Sequence, residues 1–165
     1  MVLGVASKEL GSTFAHALLK QKNGAIRRAL VVCGAEGLDE FSCAGSTHVW
    51  TVDSAAGTVT ESTVTPEDFG LPVHSLSTVI GHSAKENAEV LKTLLKPGYT
   101  SANREVPIDI GPVRDFVLLN ASALLVVSGV ASDWKDGVQR ARTSIENGRA
   151  WEAIEAFRVS STTAA

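Results

Sequence analysis

The chain has 165 residues, 44% hydrophobic, 20% charged and 5% aromatic, with 14 glycines and a formal net charge of -3. That length suits one domain with a real core. The mildly acidic balance excludes a basic nucleic-acid groove, so no nucleic-acid partner is expected.

Leu10, Phe14, Ala17 and Leu18 recur at helical spacing behind Ser7, a candidate cap, and Asn23-Gly24 predicts the stop. Lys20, Lys22, Arg27 and Arg28 then read as a solvated edge. The apolar run Ala29 to Cys33 predicts a strand buried on both faces, as in a parallel sheet covered by helices. Two β-rich runs, Thr47 to Val52 and Thr58 to Val64, flank a turn-like stretch and predict an antiparallel hairpin. Thr65-Pro66-Glu67-Asp68 opens a short helix that Gly70 and Pro72 end. Ser83 and Glu86 form a capping box for a helix through about Lys96, with Ala84, Ala88, Leu91 and Leu95 on its inner side.

Three prolines and two glycines between Pro97 and Pro112 predict a surface loop. Asp115 is the expected opening of an apolar helix over Phe116 to Val127, interrupted only by Asn120 and Ser122. At that length it falls short of the ~20 residues that span a bilayer, so a core helix and no membrane partner are expected. Asp133 caps a further helix carrying Trp134, Val138, Ala141 and Ile145, stopped at Gly148. A last helix runs from Ala150 to Arg158. The fold class is α/β, part of a mixed or parallel sheet covered by helices, over residues 1–158, with 159–165 as a disordered tail. Only one buried parallel strand is visible, so its parallel neighbour is not evident from sequence.

The loop after that strand reads Gly34-Ala35-Glu36-Gly37-Leu38-Asp39-Glu40. Ligands of open α/β sheets bind beyond the carboxyl ends of strands, where this loop lies. Adjacent carboxylates in a glycine-flanked loop can face one small volume and suit Mg²⁺, a hard cation held by one or two carboxylates plus substrate phosphates. The same Asp39-Glu40 pair can equally serve as first-turn acids of a short helix. His16, His48, His74 and His82 show no metal-ligand spacing, and His16 and His48 read as structural or exposed. Neither a GxxxxGK[ST] loop nor a GxGxxG fingerprint is present. Cys33 and Cys43, without a second pair, read as free buried thiols, and no secretory signal opens the chain. A reducing compartment, the cytoplasm, is expected.

The run from Ala29 to Glu40 resembles the C-terminal half of the anthranilate phosphoribosyltransferase family. So do Gly45-Ser46-Thr47, Thr65 to Leu71, Glu86-Asn87-Ala88 and Asp115 to Ala121, in the same order, and the likeness covers about residues 2 to 158. Cys33-Gly34 and the long loop around Tyr99 resemble fungal members. The resemblance implies a nucleoside phosphorylase/phosphoribosyltransferase-type α/β domain. It also implies transfer from phosphoribosyl pyrophosphate to the amine of anthranilate, in tryptophan biosynthesis. By the same resemblance Asp39 and Glu40 serve Mg²⁺, and the complete enzyme is a homodimer through a helical domain absent here. The family's glycine-rich phosphate loop, its KHGNR segment and its anthranilate-binding arginine have no counterpart in these residues, so a fragment inactive alone is expected. Two alternatives are a pyrimidine nucleoside phosphorylase-like enzyme and a non-catalytic interaction module.

Overall fold

The computed structural model describes residues 1–21, 26–99 and 109–163. A four-stranded mixed sheet lies at its centre, in the order β1 (Val2–Gly4), β2 (Arg28–Gly34), β3 (Thr47–Asp53), β4 (Thr58–Val64). The sequence hid β1, because three residues are too short to show a period. It pairs in parallel with β2, Leu3 opposite Val31, through the crossover helix α1 (Lys8–Leu19). On its other side β2 is antiparallel to β3, so the apolar run marks a central strand of a mixed sheet. The predicted hairpin is present: β3 and β4 pair antiparallel, and Asp53 Oδ1 accepts from the N–H groups of Ala55 and Ala56 in the turn.

Alternation along β2 feeds two cores. Ala29, Val31 and Cys33 meet Trp50 and Val52 of β3 under α1, with Ala15 and Leu18. Leu30 and Val32 point the other way, with Val49 and Val64, into a larger core shared with α3 (Ile110–Val127) and α4 (Trp134–Glu146). The inner face of α1 differs from the expected one. Gly11, Ala15 and Leu18 are buried, whereas Leu10 and Phe14 are exposed. The Trp50 ring decides this rotation: a Cβ on Gly11 would lie 2.2 Å from it, so only glycine lets the helix sit so close. Ser7 hydrogen-bonds Glu9 rather than capping α1 through its side chain.

Beyond the sheet, Thr65 N–H donates to Asp68 Oδ2 at 2.8 Å around the short 3₁₀ turn Pro66–Phe69. Helix α2 (Ala84–Leu95) keeps its Ser83–Glu86 capping box but lies at the periphery. Of its predicted inner face only Leu95 is buried, because α2 meets its neighbours at its far end; Ala84, Ala88 and Leu91 face solvent.

Helix α3 begins at Ile110, five residues before Asp115, with Asp109 as its cap accepting from Gly111 N–H at 2.9 Å. Pro112 is tolerated there because the first turn makes no use of its missing N–H. Its 18 residues are long and apolar enough to cross a bilayer by length and composition, more than the sequence suggested. Even so, it is laid on the sheet, with Leu118, Leu119, Ala123 and Val127 in the core.

Asp133 caps α4 as expected, accepting from Asp136 N–H at 2.9 Å, and Gly148 ends it with φ +81°. Helix α5 (Arg149–Thr163) continues through residues 159–163, where composition suggested a disordered tail. The predicted Asn23-Gly24 stop and positions 100–108 of the predicted loop lie outside the described residues.

Candidate functional site

β1 and β2 run side by side, Gly4 opposite Val32, and β2 continues two residues further to Gly34. The chain then turns back over their carboxyl ends. Gly34 N–H donates to Leu38 O at 2.7 Å, Gly37 N–H to Gly34 O at 2.9 Å, and Ala35 N–H to Ser46 O at 2.9 Å. Gly37 adopts φ +84°, open to glycine at little cost. The loop rests directly on β1: a Cβ on Gly4 would fall 1.5 Å from the carbonyl oxygen of Asp39. A side chain at the end of β1 and an Asp39 backbone in this position are therefore incompatible.

No helix forms over residues 35–46, so Asp39 and Glu40 are loop acids and not the first turn of a helix. Asp39 is exposed and Glu40 half-buried. Burial first, and the Asp39 charge second, push the Glu40 carboxyl above the ordinary carboxylate range. Among the described residues, neither carboxylate engages in a hydrogen bond or ion pair, and no third acid, histidine or cysteine joins them in a metal-holding cluster. Two free carboxylates offering only oxygen suit a hard divalent cation that draws its remaining ligands from substrate and water.

The residues after the pair are anchored. The Phe41 ring lies edge-on to Phe69, centroids 5.6 Å apart, and 6.0 Å from Trp134. Its backbone is held by Asn120 of α3, whose Oδ1 accepts from Phe41 N–H at 3.0 Å and whose Nδ2 donates to Phe41 O at 3.2 Å. Ser42 donates its hydroxyl to Glu36 and its N–H to Thr47 Oγ1 at 2.9 Å. Glu36 thus serves the loop's internal bracing. Burial, then the Glu36 and Glu40 charges, push the Cys43 thiol up, which favours the protonated form. Cys33 is likewise free, buried and pushed up chiefly by burial.

His74 has a role its spacing concealed. Its backbone N–H donates to Cys43 O at 2.8 Å, while its imidazole Nε2 lies 3.0 Å from Oδ2 of buried Asp115. The Arg114 guanidinium reaches the other Asp115 oxygen at 3.3 Å. Asp115 therefore braces the loop's far side instead of opening a helix. Sequence distance hid both braces: Asn120 and Phe41 are 79 residues apart, His74 and Asp115 41. The available signal was polarity, an asparagine inside an apolar helix. His16 bonds its own helix, Nδ1 to Ser12 O at 2.8 Å, and His48 lies on β3 with its ring 6.2 Å from that of Trp50. A cavity lined by Met1, Arg28, Asp53 and Val127 opens at the start of β2, the opposite end of the strand from the acids.

Residues 1–151 match the family model described as "Glycosyl transferase family, a/b domain". The anthranilate phosphoribosyltransferase of Schizosaccharomyces pombe is 42% identical over 156 residues, 94% of this chain and 40% of the relative. That of Saccharomyces cerevisiae is 34% identical over 158 residues, again 94% of this chain and 40% of the relative. Solved structures of the S. cerevisiae enzyme superpose closely. The complex with 4-fluoroanthranilate gives a TM-score of 0.82 at 34% identity, covering 98% of this chain and 43% of that one. The complex with PRPP and Mg gives 0.79 at 34% identity, covering 94% and 41%. The chain thus spans about 40% of the length of the relatives it matches.

Proposed function

The chain belongs to the glycosyl transferase family through its a/b domain, and on that premise we propose that it supplies the cation-holding corner of a phosphoribosyltransferase. The reaction is displacement at C1 of phosphoribosyl pyrophosphate by the amine of anthranilate. A C–N bond forms, the C–O bond to pyrophosphate breaks and the nitrogen sheds one proton to solvent, giving N-(5-phosphoribosyl)anthranilate and pyrophosphate, a step of tryptophan biosynthesis. The observation that carries this is the Asp39-Glu40 pair, uncommitted at the carboxyl ends of two parallel strands. Similar enzymes solved with PRPP and Mg, and with 4-fluoroanthranilate, support the substrates and the metal.

When bound, Mg²⁺ offsets the negative charge that grows on the departing pyrophosphate. Asp39 and Glu40 hold it with hard oxygen ligands. Phe41, seated among Phe69 and Trp134, keeps the loop from sagging, and Gly4 leaves room for the Asp39 backbone. The acids serve as ligands and not as a general acid and base: the pyrophosphate departs as an anion, and the proton shed by the nitrogen passes to solvent water. The remaining requirements, a cradle for the sugar phosphate and a pocket for anthranilate, belong to the complete enzyme. So does the homodimer, formed through its helical domain. Two buried free thiols support a cytoplasmic setting.

Asp39→Asn and Glu40→Gln, placed in the complete enzyme, are expected to lower kcat/KM by about a hundredfold or more, from the loss of charged ligands. Raised Mg²⁺ should partly rescue the single variants. Wild-type turnover in both would overturn the assignment. The 165-residue chain alone is expected to bind divalent cation and to show no turnover with phosphoribosyl pyrophosphate and anthranilate.

A further inference from the structure

The acid pair hangs between two fixed points. On one side the Asp39 carbonyl is seated against Gly4; on the other, one side-chain amide holds both polar backbone groups of Phe41. That amide, Asn120, sits midway along an apolar helix and also donates to Phe116 O at 3.2 Å. Asn120 is half-buried, and the polar atoms of an asparagine turned away from solvent must find partners or lose stability. Here its partners are the N–H that immediately follows Glu40 and the carbonyl one step on. With Phe41 buried at 1% exposure, neither backbone group has solvent as a substitute.

We infer that Asn120 is a positioning residue for the cation site: by clasping Phe41 on both sides it fixes the peptide that joins Glu40 to Phe41, adjoining the Cα that carries the Glu40 side chain, while the Asp39 carbonyl is seated against Gly4. This rests on the cation reading of that pair. Groups that orient metal ligands without touching the metal typically govern affinity by about 10- to 100-fold. The clasp is placed to do so, because it holds the peptide that immediately follows Glu40 and so restricts rotation of the backbone at Glu40. Ser122, one half-turn further along α3, offers an internal control. It is fully buried where Asn120 is half-buried, and its hydroxyl donates to Trp134 O at 2.7 Å, joining α3 to α4 with no hydrogen bond to the loop among the described residues.

The test titrates the 165-residue chain with Mn²⁺ alone, read by electron paramagnetic resonance and water-proton relaxation, in wild type, Asn120→Leu and Ser122→Ala. Amide hydrogen exchange over residues 39–43 is followed in parallel. Asn120→Leu is expected to weaken Mn²⁺ binding about tenfold or more and to speed exchange in that segment. Ser122→Ala, despite its own loss of thermal stability, should bind Mn²⁺ within about twofold of wild type. Asn120→Ser, small enough to admit a bridging water, should fall between wild type and Asn120→Leu, and decides the matter if the leucine variant does not fold. Equal Mn²⁺ affinity in wild type and the folded Asn120 variant overturns the inference alone, as does an equal loss in Ser122→Ala. A wild-type chain that binds no Mn²⁺ overturns the cation reading itself, and the inference with it.

Discussion

The two faces of the sheet are covered differently. One carries a single helix, α1, packed through Gly11, Ala15 and Leu18 onto Trp50, Val31 and Val52. It is closely fitted and holds no part of the candidate site. The other face carries α3 and α4, an aromatic cluster of Phe41, Phe69 and Trp134, and both braces to the acid loop. Residues of β2 serve both faces alternately, so the strand itself does not distinguish them. What distinguishes them is buried polarity. Asp115 and Ser122 are buried on the α3 side, as is Asn120 in part, and Asp115 and Asn120 lead to the loop. Under α1, Trp50 Nε1 is buried and has no hydrogen-bond partner among the described residues. One face supplies stability, the other stability and a site.

Phe41→Ala should produce the largest effect and join the two properties. Loss of a ring packed between Phe69 and Trp134 costs about 3–5 kcal/mol and should weaken Mn²⁺ binding together with stability. Denaturant unfolding and Mn²⁺ titration of the same sample measure both, and a purely thermodynamic loss would weaken the contrast between the faces. Gly11→Ala comes next. A Cβ placed 2.2 Å from the Trp50 ring overpacks that face by about 1–3 kcal/mol, part of it offset by alanine's better helix propensity. Mn²⁺ affinity should stay unchanged, and a parallel fall would show that the α1 face also supports the site.

Glu40→Gln is smaller and opposite in sign. A carboxyl pushed up by burial and by Asp39 favours the folded state at low pH, and that contribution is lost as pH rises through the folded value. Without metal, the glutamine variant should therefore be more stable than wild type near neutrality, by less than about 1 kcal/mol given partial exposure and screening. The gap should close below about pH 4, under the ordinary glutamate value. Thermal midpoints across that range check it, and a gap that persists in acid would place its origin in packing. Glu61→Gln is the smallest change. Its pair with Lys8, at 3.9 Å and half-exposed on both sides, links α1 to β4 and should be worth under about 0.5 kcal/mol. A larger shift would give the α1 face an electrostatic share that its geometry does not suggest.

Particular elements explain how much was legible. The hairpin, the Ser83 and Asp133 caps and the inner face of α4 were readable because each signal lies within a few residues of its consequence. The acid pair was readable as a position, at the end of a buried strand. β1 was not, since three residues carry no period and its parallel bonds lie across a helix. Neither were the true face of α1 nor the exposure of Ala84, Ala88 and Leu91 on α2. Amphipathic spacing says that a face exists, but its neighbours decide how the helix is turned.

The sequence by itself determined the α/β class, most of the element order, the family and the loop that bears Asp39 and Glu40. These depend on local hydrogen-bonding chemistry, on strand and helix periodicity and on contiguous motifs. Only the tertiary structure decided that Gly4 makes room for Asp39, that Gly11 seats Trp50, and that Asn120 and Asp115 brace the acid loop. Each is a contact between distant segments. Burial makes such contacts strong, because a polar group cut off from water must find its partner wherever the fold brings one.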